Sequence, residues 1–570
     1  MNKFLEKIKA EHINDEEQYE VLVSESKRLM IEAPAGYGKT KTMINKIKYL
    51  ILNGELPKYK KILCLTFSVN STNKIIKDIN ESIKDRNYNS ASFAKIGNYH
   101  SLAMSLIAKY GYLIDINLKR FSELKIISDN DSNIDTLNTD EKTFLNNFTE
   151  EINDAFETSN FYEDRIIKYN NIMKSHFLSD GLITYNAFIT LTIELLVKFP
   201  EVQKFYQTLY PIIFIDEFQD TNILSLNLIK LLINDSTKLF LFGDSMQKIY
   251  GFLGAIPNLI DIMIEEYNMD FTLLKNNYRF KDNPTLLLLD SNLRKNISNF
   301  SNPNIKNDCN IKFYLTPDQL SEAEIIKNML IQFEEKSIDD IGILFRGRSK
   351  NTSVILEHLQ NSEISVYNGL FNQDDLDYQE FHNVVLTLFN NFIENKRNNS
   401  LTKNDIPKFL ELVNSNIANS LEMIGSFIEL LEAFLESVCS EFNYRYRNDT
   451  IRNVFLNKEL KNYIKNITQK VIVTTIHSAK GLEWDYVILP DLEDGIFPNM
   501  YYLKNNDGTI IEDKYVDELC TFYVGVTRAR KNIVFTGSQR QYGRGNGQNR
   551  LFPTRRSDFL NRPGINIDFI

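Results

Sequence analysis

The chain alternates short apolar runs with longer segments in which polar and apolar residues are mixed. Such runs are typical of strands that are buried on both faces of a parallel sheet. Helix-compatible segments lie between them, so the pattern predicts an α/β fold of parallel sheets with flanking helices. The runs are Leu29–Ile31, Lys61–Phe67, Pro211–Ile215, Lys238–Phe242, Ile341–Phe345, Val471–Thr475 and Tyr486–Leu489.

Two long stretches interrupt this pattern. Residues 105–189 and 385–467 are mainly polar with helical character. Each contains a strongly polar stretch without helical periodicity, at Ser128–Lys142 and at Asn395–Ser400. Sequences of that composition favour loops over a packed core. We therefore interpret both stretches as helical insertions, and the length of 570 residues suggests about three or four domain-sized units.

Composition narrows the class of protein. With 43% hydrophobic and 25% charged residues, the chain is that of an ordinary globular protein. It shows no N-terminal apolar segment of the signal-peptide type and no run of 18 apolar residues, so we expect no membrane partner. The widely spaced cysteines form no C-x-x-C pair, which predicts a cytoplasmic protein without disulfides or zinc. They are Cys64, Cys309, Cys439 and Cys520.

The net charge of −10 argues weakly against a nucleic-acid protein, because phosphate binding requires a basic surface. A large chain can carry a local basic groove within an acidic total. The net charge is therefore only a weak argument about nucleic-acid binding.

The residues Ala33–Thr40 follow the first apolar run and precede a helix-compatible segment. A strand, a glycine-bearing loop and a helix start are the context of a phosphate-binding P-loop. Gly36 and Gly38 allow backbone N–H groups to face a phosphate, Lys39 supplies a cation, and Thr40 supplies a hydroxyl for Mg²⁺. Ala33 replaces the first glycine of the usual pattern. The alternative is a tight turn before a helix.

Asp216 and Glu217 directly follow the apolar run Pro211–Ile215. Two carboxylates at the carboxyl end of a buried strand suit an Mg²⁺–ATP site, with Asp216 on the metal and Glu217 as general base on water. The alternative is an acidic turn that caps the next helix.

Other candidates are weaker when each is taken alone. Gln18 lies on a predicted N-terminal helix that Asn14 or Asp15 caps, and its amide is able to reach an adenine edge; the alternative is an exposed helix glutamine. Gln247 follows the run Lys238–Phe242 and is placed to sense a γ-phosphate. Tyr250 and Phe252 offer flat surfaces to bases, although single aromatic residues are more often part of the core.

The order of these segments and their amino-acid sequences resemble those of the UvrD/Rep-type superfamily 1 helicases over nearly the whole chain. The strings I-H-S-A-K-G-L-E-W and Y-V-G-V-T-R-A-R are long and unusual, and both follow a P-loop and D-E-F-Q-D-T in the family's order. The matching segments are Asn14–Gln18, Ala33–Thr40, Thr66–Asn73, Asn98–Ser101, Asp216–Thr221, Gly243–Ala255, Asn277–Arg279, Thr475–Glu483 and Tyr523–Arg530.

The resemblance implies two RecA-like P-loop NTPase domains, each with a mainly helical insertion. The first domain is expected at 1–104 and 190–272, with its insertion at 105–189. The second is expected at 273–384 and 468–570, with a reduced insertion at 385–467.

The family's roles transfer residue by residue as expectations, with ATP and Mg²⁺ as cofactors. The catalytic set is Lys39, Glu217, Gln247, Arg279 and Arg528, in which Gln247 and the two arginines reach the γ-phosphate. In the nucleotide-binding set, Gln18 is expected to read the adenine and Tyr278 to stack on it. The full set is Gln18, Ala33, Pro34, Ala35, Gly36, Tyr37, Gly38, Lys39, Thr40, Lys41, Tyr278 and Glu483. The metal ligands are Thr40 and Asp216. The DNA-facing residues are Phe67, His100, Tyr250, Phe252 and His477.

The activity that the resemblance implies is that of an ATP-dependent helicase that moves 3′ to 5′ on single-stranded or 3′-tailed DNA. Arg279 and Arg528 are expected to come from the second domain and to favour a closed, ATP-bound state. Leu253 stands where the family usually has an arginine, and Pro34 where it usually has a glycine. Leu253 and the short insertions favour an alternative: an ATP-gated sensor of DNA ends that regulates a nuclease and unwinds little.

Only a short tail follows Arg530, and we expect no nuclease domain there. This compact form resembles the helicase subunits of bacterial anti-phage systems such as Gabija, in which a separate nuclease is the partner. The resemblance thus adds a nuclease partner in phage defence as a hypothesis.

Overall fold

A computed structural model describes residues 2–66, 75–76, 79, 93–127, 136–154, 162–248, 256, 258–372, 375–396, 400–417, 423–441, 444–456, 458–500, 502–505, 507–545 and 548–570. The chain forms two compact units, Met1–Arg279 and Phe280–Ile570. No helix in the described ranges combines the length and the apolar character that a membrane span requires.

A parallel sheet forms the centre of the first unit. Its strand order is β3-β2-β6-β7-β1-β8, and neighbouring strands pair in parallel throughout. Strand β6 is buried along its whole length, which is why parallel strands of this kind appear in the sequence as continuous apolar runs. The strands of this unit are β1 (Arg28–Glu32), β2 (Ile62–Leu65), β3 (Ala94–Gly97), β4 (Lys125–Ile127), β5 (Leu182–Thr184), β6 (Ile212–Ile215), β7 (Lys238–Gly243) and β8 (Asp270–Leu273).

Helices surround this sheet and also form most of the described part of the expected insertion. The short strands β4 and β5 pair in parallel away from the main sheet. Phe148 stacks on Tyr169 with ring centroids 4.2 Å apart, in a core that continues to one side of the main sheet. The helices are α1 (Asn2–His12), α2 (Glu16–Val23), α3 (Lys39–Leu52), α4 (Tyr99–Tyr110), α5 (Thr139–Asp154), α6 (Ile167–Ile172), α7 (Tyr185–Lys198), α8 (Pro200–Leu209), α9 (Ile223–Leu232) and α10 (Leu259–Tyr267). Tighter or wider helical segments lie at Gly111–Leu113, Ile116–Glu123, Tyr162–Ile166, Met173–Phe177, Leu178–Asp180, Phe218–Asp220 and Ser245–Gln247.

The second unit contains another parallel sheet, with the order β11-β12-β10-β13-β14-β9-β17. Two further strands, β15 and β16, form an antiparallel hairpin. The strands are β9 (Cys309–Thr316), β10 (Ile341–Phe345), β11 (Val366–Asn368), β12 (Val471–Thr475), β13 (Trp484–Leu489), β14 (Ala529–Ser538), β15 (Arg540–Gly545), β16 (Gln548–Pro553) and β17 (Ile565–Phe569).

The described part of residues 376–466 in this unit is mostly helical, and this range overlaps the insertion that we expected at 385–467. Its core is aromatic: the Tyr378 ring lies 5.6 Å from that of Phe427 and 4.2 Å from that of His382. The helices of the unit are α11 (Pro284–Ser298), α12 (Gln319–Glu335), α13 (Lys350–Gln360), α14 (Leu376–Glu394), α15 (Ile406–Asn416), α16 (Ile424–Glu441), α17 (Tyr444–Leu456) and α18 (Glu512–Val526). Short 3₁₀ segments lie at Lys403–Asp405, Leu460–Asn466 and Asp558–Asn561.

The predicted α/β class, with parallel sheets and flanking helices, is confirmed. One detail differs. We expected residues 273–279 in the second domain, but they belong to the first compact unit. The reason is local: β8 pairs with β1, and the chain that follows β8 stays on the P-loop, where the N–H of Tyr278 donates to the carbonyl of Gly36 at 2.8 Å.

Candidate nucleotide-binding site

The loop between β1 and α3 has the backbone of an anion-binding cradle. Gly36 and Gly38 both have φ of +83°, in a region that L side chains rarely adopt. Gly38 is also the N-cap of α3, so the first N–H groups of that helix lack intrahelical acceptors. Free N–H groups at a helix N-terminus bind phosphate well.

Lys39, the first residue of α3, lies between two carboxylates in this structure. Its Nζ is 2.6 Å from Glu217 Oε1 and 3.4 Å from Asp216 Oδ1. Burial alone lowers the pKa of Lys39, but the charges of Asp216 and Glu217 outweigh burial and raise that pKa above its ordinary value. Lys39 therefore stays cationic at neutral pH.

The end of β6 positions the acidic pair. The Asp216 N–H donates to the carbonyl of Leu65 at 2.8 Å, and the Asp216 side chain is only 2% exposed. Burial raises the pKa of Asp216, while Lys39 opposes that rise. Glu217 has φ of +52°, a strained backbone that non-glycine residues adopt mainly at functional sites.

A chain of hydrogen bonds runs from Glu217 to Gln247. Gln219 Nε2 donates to Glu217 Oε2 at 2.7 Å, and Gln219 Oε1 accepts from the Asp244 N–H at 3.0 Å. Gln247 Nε2 in turn donates to Asp244 Oδ2 at 2.8 Å. The acidic pair after β6 and the segment after β7 are thus joined through polar side chains.

Gln18 and Tyr278 lie against the other side of the loop, at Gly38. Gln18 Nε2 donates to the carbonyl of Tyr37 at 3.1 Å, and the Tyr278 hydroxyl donates to Asp15 at 2.5 Å. A Cβ on Gly38 would lie 2.5 Å from Gln18 Nε2 and 3.6 Å from Tyr278 Cδ2. Tyr278 is 47% exposed, which leaves part of its side chain accessible to a base. The predicted adenine reader and its stacking partner are therefore neighbours.

Arg279 is placed beside the P-loop within the first unit. A Cβ on Gly36 would lie 2.5 Å from Arg279 Cβ and 3.1 Å from Asn277 Oδ1. Our expectation that Arg279 comes from the second domain is therefore wrong, because the residue is the last one of the first unit.

The predicted magnesium ligands fit a metal bound with a nucleotide. Thr40 lies half-buried in the first turn of α3, and Asp216 supplies a buried carboxylate at the end of β6. Hydroxyl and carboxylate oxygens are the ligands that Mg²⁺ prefers. Lys41 points elsewhere: its side chain is 60% exposed, and its Nζ lies 3.8 Å from Glu11 Oε2.

In the second unit, Arg528 and Glu483 join the segments Thr475–Glu483 and Tyr523–Arg530. Arg528 donates to the carbonyls of Val524 and Leu482 at 3.0 and 3.2 Å and to Thr527 Oγ1 at 2.9 Å. Glu483 Oε1 lies 3.6 Å from a guanidinium nitrogen of Arg530. The predicted roles of Arg528 and Glu483 toward nucleotide stay predictions.

Of the predicted DNA-facing residues, Phe67, Tyr250 and Phe252 lie outside the described residues. His100 lies near the start of α4, with its ring 5.1 Å from that of Tyr185, and burial lowers its pKa to about 4. His477 follows β12, where its carbonyl accepts from the Lys480 N–H at 3.3 Å.

Sequence reasoning assigned no role to Gln219 or Asp244, and it named Asp15 only as a candidate helix cap. Gln219 stands two positions after Glu217 within the D-E-F-Q-D string, which is the signal that was available. Asp15 accepts from the Gln18 N–H at 2.9 Å as the N-cap of α2. The second bond of Asp15, from the Tyr278 hydroxyl, joins residues too far apart in sequence to predict.

Two family models match the chain. The UvrD/REP helicase N-terminal domain matches residues 14–268, and the UvrD-like helicase C-terminal domain matches residues 372–540. A solved structure of yeast Dbp5 bound to Gle1 and IP6 matches with a TM-score of 0.38 at 9% identity over 97% of this chain and 87% of that one, which is too low to support a conclusion.

Among curated relatives, the chain is 24% identical to the ATP-dependent DNA helicase PcrA of Bacillus subtilis, over 93% of this chain and 83% of that protein. The PcrA proteins of Leuconostoc citreum and Staphylococcus aureus strain Mu50 are also 24% identical, over 90% and 92% of this chain and 81% and 83% of their own lengths. The N-terminal family model covers this P-loop site, and the C-terminal model follows it in the chain. The chain therefore belongs to the UvrD/Rep-type superfamily 1A helicases, which are ATP-hydrolysing DNA helicases.

Proposed function

We propose that this chain hydrolyses ATP on binding single-stranded DNA and uses that hydrolysis to move 3′ to 5′ and displace a paired strand. The observation that carries the proposal is the constellation at the end of β1 and β6. There, a cradle with two left-handed glycines presents Lys39 next to the buried Asp216 and the strained Glu217. The resemblance to the UvrD/Rep-type helicases supports the polarity.

The residues divide the chemistry as follows. The turned backbone at Gly36 and Gly38 binds phosphate oxygens, and Lys39 exchanges its carboxylate partners for them, because the phosphates carry more negative charge. Once Lys39 has moved to the phosphates, Glu217 accepts the proton of the attacking water.

Thr40 and Asp216 are the residues that would hold Mg²⁺, which neutralises charge on the phosphates when bound. Gln18 and Tyr278 bind the base, and Arg279 lies beside the loop, where it binds the phosphates. We assign Arg528 of the second unit to the γ-phosphate as well, as the resemblance implies.

The experiment measures ATP hydrolysis with and without a single-stranded oligonucleotide. We expect clear stimulation by DNA in the wild type and a loss of about 10²-fold or more in Lys39→Ala, since a preorganised charge at the phosphate is removed. Lys58→Ala is the matched control, because Lys58 is an exposed lysine in the loop before β2. Hydrolysis that DNA does not change, or that survives Lys39→Ala, would refute the proposal.

Strand displacement then tests polarity. Duplexes with a 3′ tail and a 5′ tail of equal length are offered in parallel, and product is expected from the 3′-tailed duplex alone. The ATP-gated sensor has no support in the described residues, because Leu253, on which it largely depends, lies outside them. A role in phage defence with a nuclease partner stays a hypothesis that rests on the sequence alone.

A further inference from the structure

Three carboxylates come together in the interior of the second unit. Each is at most 1% exposed, and each offers one oxygen that lies within 4.8 Å of an oxygen of the other two. Two oxygens that bind the same Ca²⁺ at about 2.4 Å lie at most about 4.8 Å apart. The three side chains, Glu322, Asp491 and Glu493, are therefore close enough to bind one cation together.

The fold brings these residues together from three segments. Glu322 lies in the first turn of α12, and Asp491 and Glu493 follow β13. Thr536 and Ser538 lie near the end of β14, which pairs in parallel with β13. Because the carboxyl ends of parallel strands share one edge, the cluster lies at that edge of the second sheet.

Hydrogen bonds occupy both oxygens of Glu322. Its Oε1 accepts from the Thr536 hydroxyl at 2.6 Å and from the Asp491 N–H at 3.1 Å, and its Oε2 accepts from the Ser538 hydroxyl at 2.9 Å. These bonds fix the Glu322 carboxylate between the segment after β13 and the end of β14.

The other two carboxylates each keep one oxygen without a donor. Asp491 Oδ2 accepts from the Thr352 hydroxyl at 3.2 Å, and Glu493 Oε1 accepts from a backbone N–H. Asp491 Oδ1 and Glu493 Oε2 are buried and have no hydrogen-bond partner among the described residues. The same holds for the hydroxyl of Ser557, whose N–H donates to the carbonyl of Leu492 at 2.8 Å. A buried carboxylate oxygen without a donor is costly unless a cation or a proton compensates it.

The negative charge of the cluster is not compensated by a basic side chain. In the described part of the chain, no lysine, arginine or histidine forms an ion pair with any of the three carboxylates. Burial raises the pKa of each carboxyl, and the charge of Glu322 raises the pKa values of Asp491 and Glu493 further. Protons therefore compensate the charge when no cation is bound, and a cation that binds has to displace them.

We propose that Glu322, Asp491 and Glu493 form a binding site for one divalent cation, with Ca²⁺ preferred over Mg²⁺. The unpartnered oxygens of Asp491 and Glu493 bind the ion together with an oxygen of Glu322. Ca²⁺ accepts an irregular set of oxygen ligands, whereas Mg²⁺ keeps several of its waters, which suits a buried cluster less well. The ion stabilises the second unit by joining α12 to the segment after β13. This site is separate from the magnesium site at the P-loop and does not depend on the proposed function.

The experiment titrates Ca²⁺ into the full chain without nucleotide and measures binding by calorimetry. We expect one ion per wild-type chain, and binding at least about tenfold weaker in Asp491→Asn and in Glu493→Gln, because each variant loses a charged ligand. Glu324→Gln is the matched control, since Glu324 lies in the same helix with its side chain 45% exposed. Asp216→Asn, which removes a metal ligand of the nucleotide site, should bind Ca²⁺ as the wild type does.

Urea unfolding followed by the fluorescence of Trp484, in β13 of the same unit, gives a second measurement. Ca²⁺ should raise the urea midpoint of the wild type, and Mg²⁺ at the same concentration should raise it less. Asp491→Asn should lose this shift. Ca²⁺ binding to the wild type should also be at least about tenfold weaker at pH 6 than at pH 8, because the ion competes with protons.

A wild type that gives neither a calorimetric signal with Ca²⁺ nor a shift of the urea midpoint would overturn the inference, and the cluster would then share protons alone. Ca²⁺ binding that survives in Asp491→Asn but is lost in Asp216→Asn would also overturn it. If Glu493→Gln does not fold, the wild type, Asp491→Asn and the two controls decide the question. None of these measurements involves ATP hydrolysis, so a negative result leaves the proposed function unaffected.

Discussion

Gly36 offers a sharp test of the contact between the P-loop and the segment Asn277–Arg279. At φ of +83°, an alanine here would place its Cβ 2.5 Å from Arg279 Cβ and 3.1 Å from Asn277 Oδ1. Ordinary carbon contacts begin near 3.5 Å, so the segment has to move. The hydrogen bond from the Tyr278 N–H to the Gly36 carbonyl, 2.8 Å long, would be stretched with it.

The cost of Gly36→Ala has two parts. Holding an L residue in the left-handed region costs about 1–2 kcal/mol, and losing one backbone hydrogen bond costs about 1 kcal/mol more. Gly54→Ala is the matched control, because Gly54 has φ of +77° and no atom within 4 Å of the added Cβ. The control therefore carries only the first part.

Urea unfolding of the wild type and both variants, followed by circular dichroism, measures the loss of stability. The single tryptophan of the chain, Trp484, lies in β13 of the second unit, so its fluorescence serves as a reference that neither change should shift. We expect Gly36→Ala to lose about 2–3 kcal/mol, more than Gly54→Ala. Only Gly36→Ala should also lower kcat/KM for ATP, by about tenfold. If the two variants match in stability and in kinetics, the contact does not organise the site.

Two further predictions concern pH. Burial, together with the charge of Glu322, raises the pKa of Asp491, so the folded state keeps a proton that the unfolded chain releases above about pH 4, and stability falls as pH rises. Asp491→Asn should therefore stabilise the second unit more at pH 8 than at pH 5, by on the order of 1 kcal/mol. Urea unfolding followed by Trp484 fluorescence measures this difference. An equal change in stability at both pH values would contradict the prediction. Burial lowers the pKa of His100 to about 4, so His100 is neutral between pH 6 and 8, and His100→Gln should leave the salt dependence of single-stranded DNA binding unchanged over that range. A shallower slope in the variant would show that His100 is cationic.

The strands that the sequence predicts are those with continuous apolar runs. Pro211–Ile215, Ile341–Phe345 and Val471–Thr475 were expected, and they correspond to β6, β10 and β12. Strand β9 was not expected, because its residues alternate between buried and exposed and form no continuous run. Strand β14 was also not expected, because its first half contains the charged residues Arg530 and Lys531 and its continuous apolar run is limited to Ile533–Phe535.

The parts of the site that could be predicted are local in sequence. A P-loop and an Asp-Glu pair after an apolar run each carry their chemistry within a few residues, and the structure brings Lys39, Asp216 and Glu217 together. The membership of Arg279 in the first unit was predicted wrongly. It depends on the pairing of β8 with β1, which is a tertiary contact that no local pattern encodes.

The order of the strands explains why Gln219 is where it is. In the sheet, β7 lies between β6 and β1, although it follows both in the chain. Its last residue, Gly243, accepts from the Ala33 N–H at 2.8 Å on one side and leaves room for Gln219 Oε1 on the other. Because the carboxyl ends of parallel strands share one edge, this glycine contacts both the start of the P-loop and the segment that carries the acidic pair. A Cβ at position 243 would lie 2.9 Å from Gln219 Oε1, so the missing Cβ is what leaves room for the hydrogen bond from the Asp244 N–H to that oxygen.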